Sequence, residues 1–384
     1  CVCVCGDWRE SWNGAVRTPR VFFAWRGDGR ATRRLASSKL VLVPARVGLV
    51  RPSCAGLREG GVGPWAASQK FCEMLSIVYT IVLSQLILDG DTTKPMPLLG
   101  YGTCCRPTAK GPPLIKSTKE YLAQGGRLID TAQMYGNHED LAVAIKESGV
   151  PRDQLWITSK INTKAVSTRK AADESIRATV KELGVDYVDL MLIHGLWTIS
   201  ADEAVEVWKG LLDAKKDGRV RHIGVSNMER PQLEKLIAAT GVKPSALQLE
   251  YHPYVDPAVH ELVAWAKQQG MAITAYGSLG GARNKARVSG EVAKVAQAAA
   301  HGISSATLLL RWALERGCAV IPGATTAEHI RDNLNVLSVK VTGDELQRAF
   351  GGSAARPKTF AAWTNLPSEL ERRKKKGKRG RRLG

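Results

Sequence analysis

Short apolar runs alternate with longer amphipathic runs from residue 97 onward in this chain of 384 residues. The amphipathic runs, such as DESIRATVKELG (173–184) and ADEAVEVWKGLLDAKKDG (201–218), have a helical period and close on Gly. Alternating strands and helices predict a parallel sheet, and eight units over about 250 residues predict a closed (β/α)8 barrel. The eight apolar runs are LLGYGT (98–103), RLID (127–130), LWITSK (155–160), YVDLMLIH (187–194), HIGVSN (222–227), ALQLEY (246–251), AITAYG (272–277) and CAVIPG (318–323).

A doubly wound Rossmann sheet is the alternative fold for this rhythm. It requires GxGxxG after its first strand, and the nearest candidates, GYGTCC and GSLGG, do not match. We therefore predict an α/β fold of the TIM-barrel class. The apolar run IVYTIVLSQLIL (77–88) leads into the turn DGDTTKP, so a short N-terminal β-hairpin is expected to precede the barrel. That run is too short to cross a bilayer, and we expect no transmembrane segment.

The positive charge of the chain is concentrated at its two ends. Of the net +19, residues 1–73 carry +7 and residues 351–384 carry +9, while residues 74–350 carry only +3. We predict that residues 74–350 form the barrel, and that 1–73 and 351–384 are disordered extensions. Residues 1–73 precede the first Met, and three explanations stay open for them: upstream sequence read in frame, an Arg-rich organellar transit peptide, or a folded module. A cytoplasmic location is expected, or an organellar one if the segment is a transit peptide.

The run RRKKKGKRGRR (372–382) ends the C-terminal extension. Such a run is typical of a solvated tail, a nuclear localisation signal, or a contact with nucleic acid or an anionic membrane. Because no aromatic residue is interleaved for base stacking, we expect contact with polyanions but no specific nucleic-acid partner.

The cysteines and histidines indicate neither a disulfide framework nor a metal site. The central section holds only Cys104, Cys105 and Cys318, an odd number that favours a reducing compartment. The histidines are dispersed, and neither HExxH nor CxxC occurs.

Polar residues close one apolar run after another. The active sites of (β/α)8 barrels lie at the C-terminal ends of the strands. Each residue alone could be a helix cap, as Asp130 could be, or a satisfied core group. Their succession predicts a shared site, formed by Asp130, Lys160, His194, Ser226, Asn227, Gln248 and Tyr276.

Asp130, Lys160 and His194 suit the reduction of a carbonyl group if Tyr135, five residues after Asp130, joins them. Tyr has a pKa of about 10, and the ammonium of Lys160 is expected to lower it so that Tyr135 acts as a general acid. Asp130 is expected to hold Lys160, and His194 to orient the carbonyl oxygen by a hydrogen bond. The set contains no obvious nucleophile for acyl transfer.

Seven segments in succession resemble the signatures of the aldo-keto reductases over residues 80–350. The segments are GGRLIDTAQMYGNHEDLAVAI, LWITSKI, DYVDLMLIHG, GRVRHIGVSN, LQLEYHP, AYGSLGG and IPGATTAEHIRDNL. The resemblance implies a (β/α)8 barrel, a nicotinamide cofactor bound without a Rossmann domain, and a catalytic tetrad. The matching positions are Asp130, Tyr135, Lys160 and His194.

The resemblance also implies the residues that contact the cofactor. On the nicotinamide side they are Gly102, Thr103, Ser226, Asn227, Gln248 and Tyr276, with Tyr276 stacked on the ring. At the pyrophosphate they are Gly277, Ser278, Leu279, Gly280 and Gly281. At the adenosine end they are Ile321, Gly323, Ala324, Thr325, His329, Asp332 and Asn333.

The adenosine end departs from the family pattern. Many members have Lys-Ser after Ile-Pro, and an Arg five residues beyond that Ser, to bind the 2′-phosphate of NADP. Here those positions hold Gly323, Ala324 and His329, with Arg331 nearby. We expect NADPH as cofactor, with NADH as the alternative.

The substrate is expected to be a small carbonyl compound bound by a monomer. Loops after the first and fourth strands would form the pocket, with Cys104 and Trp197 as candidate walls. The alternative function is a nucleotide-sensing regulatory or scaffold subunit built on the same barrel.

Overall fold

A computed structural model describes residues 85–280, 303–339, 341 and 343–350. Two strands, β1 and β2, form an antiparallel hairpin, and β3 to β10 form one parallel sheet in chain order. The strands are β1 (Gln85–Leu88), β2 (Asp91–Pro97), β3 (Tyr101–Gly102), β4 (Leu128–Asp130), β5 (Trp156–Ile161), β6 (Val188–Ile193), β7 (Val220–Ser226), β8 (Ala246–Glu250), β9 (Ala272–Tyr276) and β10 (Ala319–Val320).

The eight-stranded sheet is closed by hydrogen bonds between its first and last segments. Gly100 donates its backbone N–H to the carbonyl of Val320 at 2.8 Å, and Val320 donates to the carbonyl of Leu98 at 2.8 Å. Each apolar run of the sequence supplies one strand. The predicted (β/α)8 barrel and its N-terminal hairpin are therefore confirmed.

Helices follow the strands and surround the sheet. Side-chain oxygens cap several of their N-termini; Ser200 and Glu203 form a complete capping box, for example. The helices are α1 (Gly111–Ala123), α2 (His138–Ser148), α3 (Arg169–Glu182), α4 (Ala201–Lys216), α5 (Arg230–Thr240), α6 (Pro257–Gln268), α7 (Ser305–Leu314), α8 (Ala327–Asn335) and α9 (Gly343–Phe350).

The core lies on both faces of the sheet. Every residue of β5 and of β6 is buried, as expected for parallel strands covered by helices outside and by other strands' side chains inside. Trp208 and Trp312, which the sequence places in amphipathic helices, are 0% and 2% exposed and belong to the core.

The hairpin covers the end of the barrel at which the strands begin. Asp89 and Gly90 at its turn both have positive φ, of 53° and 76°, as a two-residue type I′ turn requires. The Asp89 carboxylate accepts hydrogen bonds from Ser245 at 2.6 Å and from Lys215 at 2.9 Å. Lys94 of β2 pairs with the buried carboxylate of Asp189 at 2.6 Å. The opposite end, where the strands finish, is thereby left for the site.

The predictions of disordered extensions over 1–73 and 351–384 lie outside the described residues. Within the described part of the chain, no helix is long and apolar enough to cross a membrane.

Candidate active site

Asp130 and Lys160 form a buried ion pair inside the barrel. Asp130 ends β4 and Lys160 lies near the end of β5, and the two are 3% and 1% exposed. Lys160 Nζ donates to Asp130 Oδ1 at 2.5 Å and to the backbone carbonyl of Thr131 at 2.8 Å. The other carboxylate oxygen, Oδ2, accepts from Gln248 Nε2 at 2.7 Å. Asp130 therefore holds Lys160. Both of its carboxylate oxygens accept hydrogen bonds from side chains, and neither caps a helix.

Tyr135 lies beside this pair, at the end of a short 3-10 helix (Gln133–Tyr135) that follows β4. Gly136 ends that turn with φ of 58°, a left-handed conformation that glycine adopts without strain. The Tyr135 hydroxyl is 3.5 Å from Lys160 Nζ, and its ring meets the His194 ring edge to face at 5.6 Å between centroids. The geometry thus brings the four predicted residues together.

The direction of the Tyr135 pKa shift differs from the sequence prediction. Burial raises the pKa of Tyr135 well above its usual value, and the charge of Asp130 raises it further. Removing a phenolate from water outweighs the attraction of an ammonium 3.5 Å away that is already paired with a carboxylate. Burial also lowers the pKa of Lys160, while Asp130 opposes that shift. Tyr135 consequently keeps its proton through the neutral range.

His194 is a neutral imidazole in this setting. It follows β6 and is 6% exposed; burial, with the charge of Lys160, lowers its pKa to about 2. Its Nδ1 is buried and has no hydrogen-bond partner among the described residues. The group can therefore donate or accept a hydrogen bond but does not carry a charge at neutral pH.

Trp197 packs against His194, with ring centroids 4.9 Å apart. Gly195 permits this packing because a Cβ there would lie 2.9 Å from the Trp197 ring. The aromatic wall predicted after the fourth strand of the barrel is thus placed directly beside the imidazole.

The side chain of Asn227 contacts three of the predicted residues. Its Nδ2 donates to the His194 carbonyl at 2.8 Å and to Ser226 Oγ at 3.0 Å, and its Oδ1 accepts from the Tyr276 hydroxyl at 2.6 Å. The backbone of Asn227 has φ of 53°, in the left-handed region that Asn tolerates better than most residues. Thr103 lies on the far side of Asp130, donating from Oγ1 to its backbone carbonyl at 2.9 Å.

The arrangement fits an extended nicotinamide cofactor. Ser226, Asn227 and Gln248 place hydroxyl and amide groups side by side, and the Tyr276 ring is partly exposed. Beyond Tyr276 the chain turns tightly, with Gly280 N donating to the Gly277 carbonyl at 2.7 Å. A glycine turn of this kind lets backbone amides approach a phosphate. Its described members are Gly277, Ser278, Leu279 and Gly280, while Gly281 lies outside the described residues.

The predicted adenosine contacts form a separate group on the other side of β3. Gly102 N donates to the carbonyl of Pro322 at 3.1 Å, which joins the end of β3 to this segment. Within the segment, Ile321 and Ala324 are buried, Asn333 is partly buried, and the exposed members are Gly323, Thr325, His329 and Asp332.

Cys104 and Cys105, directly after this strand, are joined by a disulfide. This bond joins neighbours in the chain and is not a long-range framework, and Cys318 is a buried free thiol. The candidate substrate wall at Cys104 is half of a vicinal disulfide.

Three residues at the site have no counterpart in the sequence prediction. The Thr131 carbonyl accepts from Lys160, and Asn137 Nδ2 donates to the Thr103 carbonyl at 3.0 Å, which ties the Tyr135 turn to the end of β3. Arg106 lies against Gly323, more than two hundred residues away in the chain. A backbone carbonyl has no sequence signal, and the Arg106 contact depends on barrel closure.

No group of three or more His, Cys, Asp or Glu side chains that could hold a metal ion occurs in the described ranges.

Comparison with known proteins identifies the family. A model of the Aldo/keto reductase family matches residues 112–349. Methylglyoxal reductase DkgB of Escherichia coli O157:H7 is 40% identical over 253 residues, which cover 65% of this chain and 90% of that protein. The NAD/NADP-dependent indole-3-acetaldehyde reductase of Schizosaccharomyces pombe is 35% identical over 250 residues, which cover 63% of this chain and 85% of that protein.

Solved structures agree with this assignment. The crystal structure of an aldo/keto reductase from Brucella melitensis superposes with a TM-score of 0.61 at 31% identity, covering 70% of this chain and 98% of that one. The barrel, its strand-end residues and these relatives together show that this chain is an oxidoreductase enzyme belonging to the aldo/keto reductase family.

Proposed function

We propose that this protein reduces aldehydes or ketones to alcohols, with NADPH as the preferred cofactor and NADH as the alternative. The observation that carries the proposal is the position of the Tyr135 hydroxyl, 3.5 Å from the ammonium of a buried Lys160–Asp130 pair and next to His194. The names of two relatives, a methylglyoxal reductase and an indole-3-acetaldehyde reductase, support a carbonyl substrate.

Tyr135 is the proton donor in this proposal. The reduced cofactor, when bound, supplies a hydride to the carbonyl carbon. Tyr135 donates its hydroxyl proton to the carbonyl oxygen as negative charge develops there, since an alkoxide is a stronger base than a phenolate. Its raised pKa keeps this proton in place until that charge develops.

Lys160 stabilises the phenolate that the proton transfer leaves behind. Its ammonium is fixed by Asp130 Oδ1 at 2.5 Å and by the Thr131 carbonyl at 2.8 Å, so little reorganisation is needed when the charge on Tyr135 appears. Asp130 acts through Lys160 and holds it in place.

His194 orients the carbonyl group. As a neutral imidazole it donates one hydrogen bond to the carbonyl oxygen without competing with Tyr135 as an acid. The Trp197 ring, 4.9 Å from the imidazole, limits its movement and excludes water from one side. We propose Trp197, with Cys104 and its disulfide, as the walls of the substrate pocket.

The cofactor is proposed to extend from Tyr276 toward β10. Ser226, Asn227 and Gln248 hold its carboxamide. Because Gln248 Nε2 is engaged by Asp130, the Gln248 oxygen is the atom left to accept from that carboxamide. The described turn, Gly277 to Gly280, would hold the pyrophosphate, together with Gly281, which follows it in the sequence. The remaining contacts, at the nicotinamide and adenosine ends, are Gly102, Thr103, Ile321, Gly323, Ala324, Thr325, His329, Asp332 and Asn333.

The test is the loss of NADPH absorbance with methylglyoxal or an aromatic aldehyde. We expect turnover by the wild type and a loss of at least about a hundredfold in kcat for Tyr135→Phe, the usual size of a general acid's contribution. Equal turnover by Tyr135→Phe would refute the assigned acid. Cofactor binding without turnover of any carbonyl compound would instead favour the nucleotide-sensing alternative.

The basic tail, residues 371–384, is proposed to be separate from catalysis. The basic run 372–382 is expected to contact polyanions in a cytoplasmic, monomeric protein. Removal of residues 371–384 should leave reductase activity intact and weaken binding to an anionic resin, without abolishing it, because residues 1–73 keep a net charge of +7. Polyanion binding that persists in 1 M salt would contradict an electrostatic contact.

A further inference from the structure

The adenosine end of the proposed cofactor site has little positive charge of its own. Between residues 321 and 339 the only Lys or Arg is Arg331, an exposed residue of α8 that is followed directly by Asp332. A phosphate monoester bound here would need a cation from elsewhere in the chain.

Arg106 brings a guanidinium to this segment from the loop after β3. Its Nη1 donates to the Gly102 carbonyl at 2.8 Å, and its Nη2 donates to the Tyr101 hydroxyl at 3.3 Å. The guanidinium carbon is 5.6 Å from the centre of the Tyr101 ring. These contacts fix the direction of a side chain that is otherwise long and flexible.

Gly323 makes room for the Arg106 guanidinium. A Cβ at position 323 would lie 2.7 Å from the Arg106 guanidinium carbon and closer still to Nη1. The φ of Gly323 is not among the positive ones, so its backbone conformation is open to any residue. A Cβ at 323 would also lie 3.1 Å from the Gly102 carbonyl oxygen, but its main clash is with the guanidinium. A side chain at 323 would therefore require the Arg106 guanidinium to move.

The charge of Arg106 is not compensated by the described residues. No Asp or Glu carboxylate among them lies within ion-pair distance of it, and its Nε is buried without a hydrogen-bond partner in the same part of the chain. Nη1 and Nη2 each donate one hydrogen bond within the chain, so each keeps one N–H for another group. A half-buried guanidinium in this state favours an anion with several oxygens.

Thr108 extends the same surface. Its hydroxyl is 2.9 Å from that of Thr325, so the loop after β3 and the segment after β10 are joined at a second point. Arg106 is itself partly exposed, and Gly323 and Thr325 beside it are exposed, so this junction lies at the surface.

We propose that Arg106 binds the 2′-phosphate of NADPH. The assignment rests on the proposed function, which directs the adenosine end of the cofactor to the Gly323–Asn333 segment. A phosphate monoester carries a charge of about −1.5 to −2 at neutral pH and offers three oxygens to the guanidinium fork. Arg106, in the loop after β3, thus supplies the positive charge that a side chain at position 323 would otherwise supply.

The test measures cofactor binding by calorimetric titration of the full chain at fixed ionic strength. For Arg106→Met, which keeps an apolar stem against Tyr101, we expect the Kd for NADPH to rise about 10- to 100-fold, as for loss of charge-assisted hydrogen bonds. The Kd for NADH should change by less than about twofold. Unchanged NADH binding also shows that the variant is folded.

Two further variants sharpen the result. Gly323→Ala should weaken NADPH binding selectively, because its Cβ displaces the guanidinium, and should add no further loss in Arg106→Met. Arg331→Met is the matched control and should leave both affinities within about twofold of the wild type.

Several outcomes overturn the proposal. An unchanged NADPH affinity in Arg106→Met, an equal loss for both cofactors, or a selective loss in Arg331→Met instead would each exclude Arg106 as the 2′-phosphate ligand. A wild-type protein that binds neither NADPH nor NADH would refute the proposed function itself. Binding of NADPH without any effect of Arg106→Met would refute this inference alone.

Discussion

Gln248 donates from Nε2 to the carboxylate oxygen of Asp130 that Lys160 leaves free, at 2.7 Å. The two residues are 118 positions apart in the chain and come from β8 and β4. A residue predicted to hold the cofactor therefore also orients the carboxylate that holds Lys160.

Replacement of Gln248 should disturb catalysis as well as cofactor affinity. In Gln248→Leu, Asp130 Oδ2 is left buried without a donor, at a cost of about 1–3 kcal/mol in the free energy of unfolding. We expect kcat to fall roughly tenfold, the effect of about 1.4 kcal/mol in the barrier. Gln248→Glu places a second carboxylate beside Asp130, so activity should decline as pH rises and that group ionises. A wild-type pH profile in Gln248→Glu would contradict the contact.

The Asp130–Lys160 pair should be costly to break from one side. Asp130→Ala leaves the ammonium of Lys160 buried without its partner, and we expect a loss of about 3–5 kcal/mol in the free energy of unfolding by urea. The double variant Asp130→Ala/Lys160→Met should lose less than the sum of the single changes. The exposed pair Lys119–Glu147, at 2.7 Å, is the control and should contribute about 0–1 kcal/mol. Additive losses for the buried pair would rule out direct coupling.

The raised pKa of Tyr135 predicts the alkaline side of the rate profile. Because burial disfavours the phenolate, reduction should not lose rate through ionisation of Tyr135 between pH 7 and about 9. The measurement is kcat against pH at saturating cofactor. A fall in kcat centred below pH 9 that disappears in Tyr135→Phe would support the lowered pKa that the sequence suggested.

His194 should make the fold less stable in acid. An unfolded chain binds a proton at His194 below about pH 6.5, whereas the folded chain, with a pKa of about 2, does not. The unfolded state then binds more protons, so the free energy of unfolding decreases as the pH is lowered below 6.5, by up to about 1.4 kcal/mol per pH unit. His194→Asn should lose less stability than the wild type between pH 6.5 and 4. Parallel losses in the two proteins would argue against a buried neutral imidazole.

Asp89 should stabilise the hairpin in its ionised form. Burial alone would raise its pKa, but hydrogen bonds from His222, Ser245 and Lys215 hold the pKa below the usual value. The stabilisation is then present above about pH 4 and is lost as pH falls toward the folded pKa. Asp89→Asn should lower the unfolding midpoint at pH 7, with a smaller difference from the wild type at pH 3. A difference that does not shrink in acid would exclude the charge as the cause.

The barrel and the meeting of polar side chains at one of its ends could be predicted because both depend on local patterns repeated along the chain. An apolar run that closes in Asp130, Lys160 or His194 delivers its last side chain to one end of a parallel barrel wherever the strand stands in the order. The side-chain period of a strand and the single direction of the strands bring these ends together.

The contacts across the barrel could not be predicted in this way. Gln248 on Asp130 and Arg106 against Gly323 join residues more than a hundred positions apart, and each depends on the side-chain packing inside the closed sheet. The bond between Cys104 and Cys105 likewise has no sequence signal in the cysteine count, which addresses long-range frameworks and not neighbours in the chain.

For Tyr135, the proposed proton donor, the sequence and the fold determine different properties. The residue types and their spacing select Tyr135, Lys160 and Asp130 and direct them to a common place, because strand ends converge. The direction of the Tyr135 pKa shift follows from the folded environment, since it depends on how completely packing removes the hydroxyl from water and on which charges remain unpaired nearby. The composition and the order of the residues do not determine the balance between desolvation and nearby charges, because desolvation is a property of the assembled core.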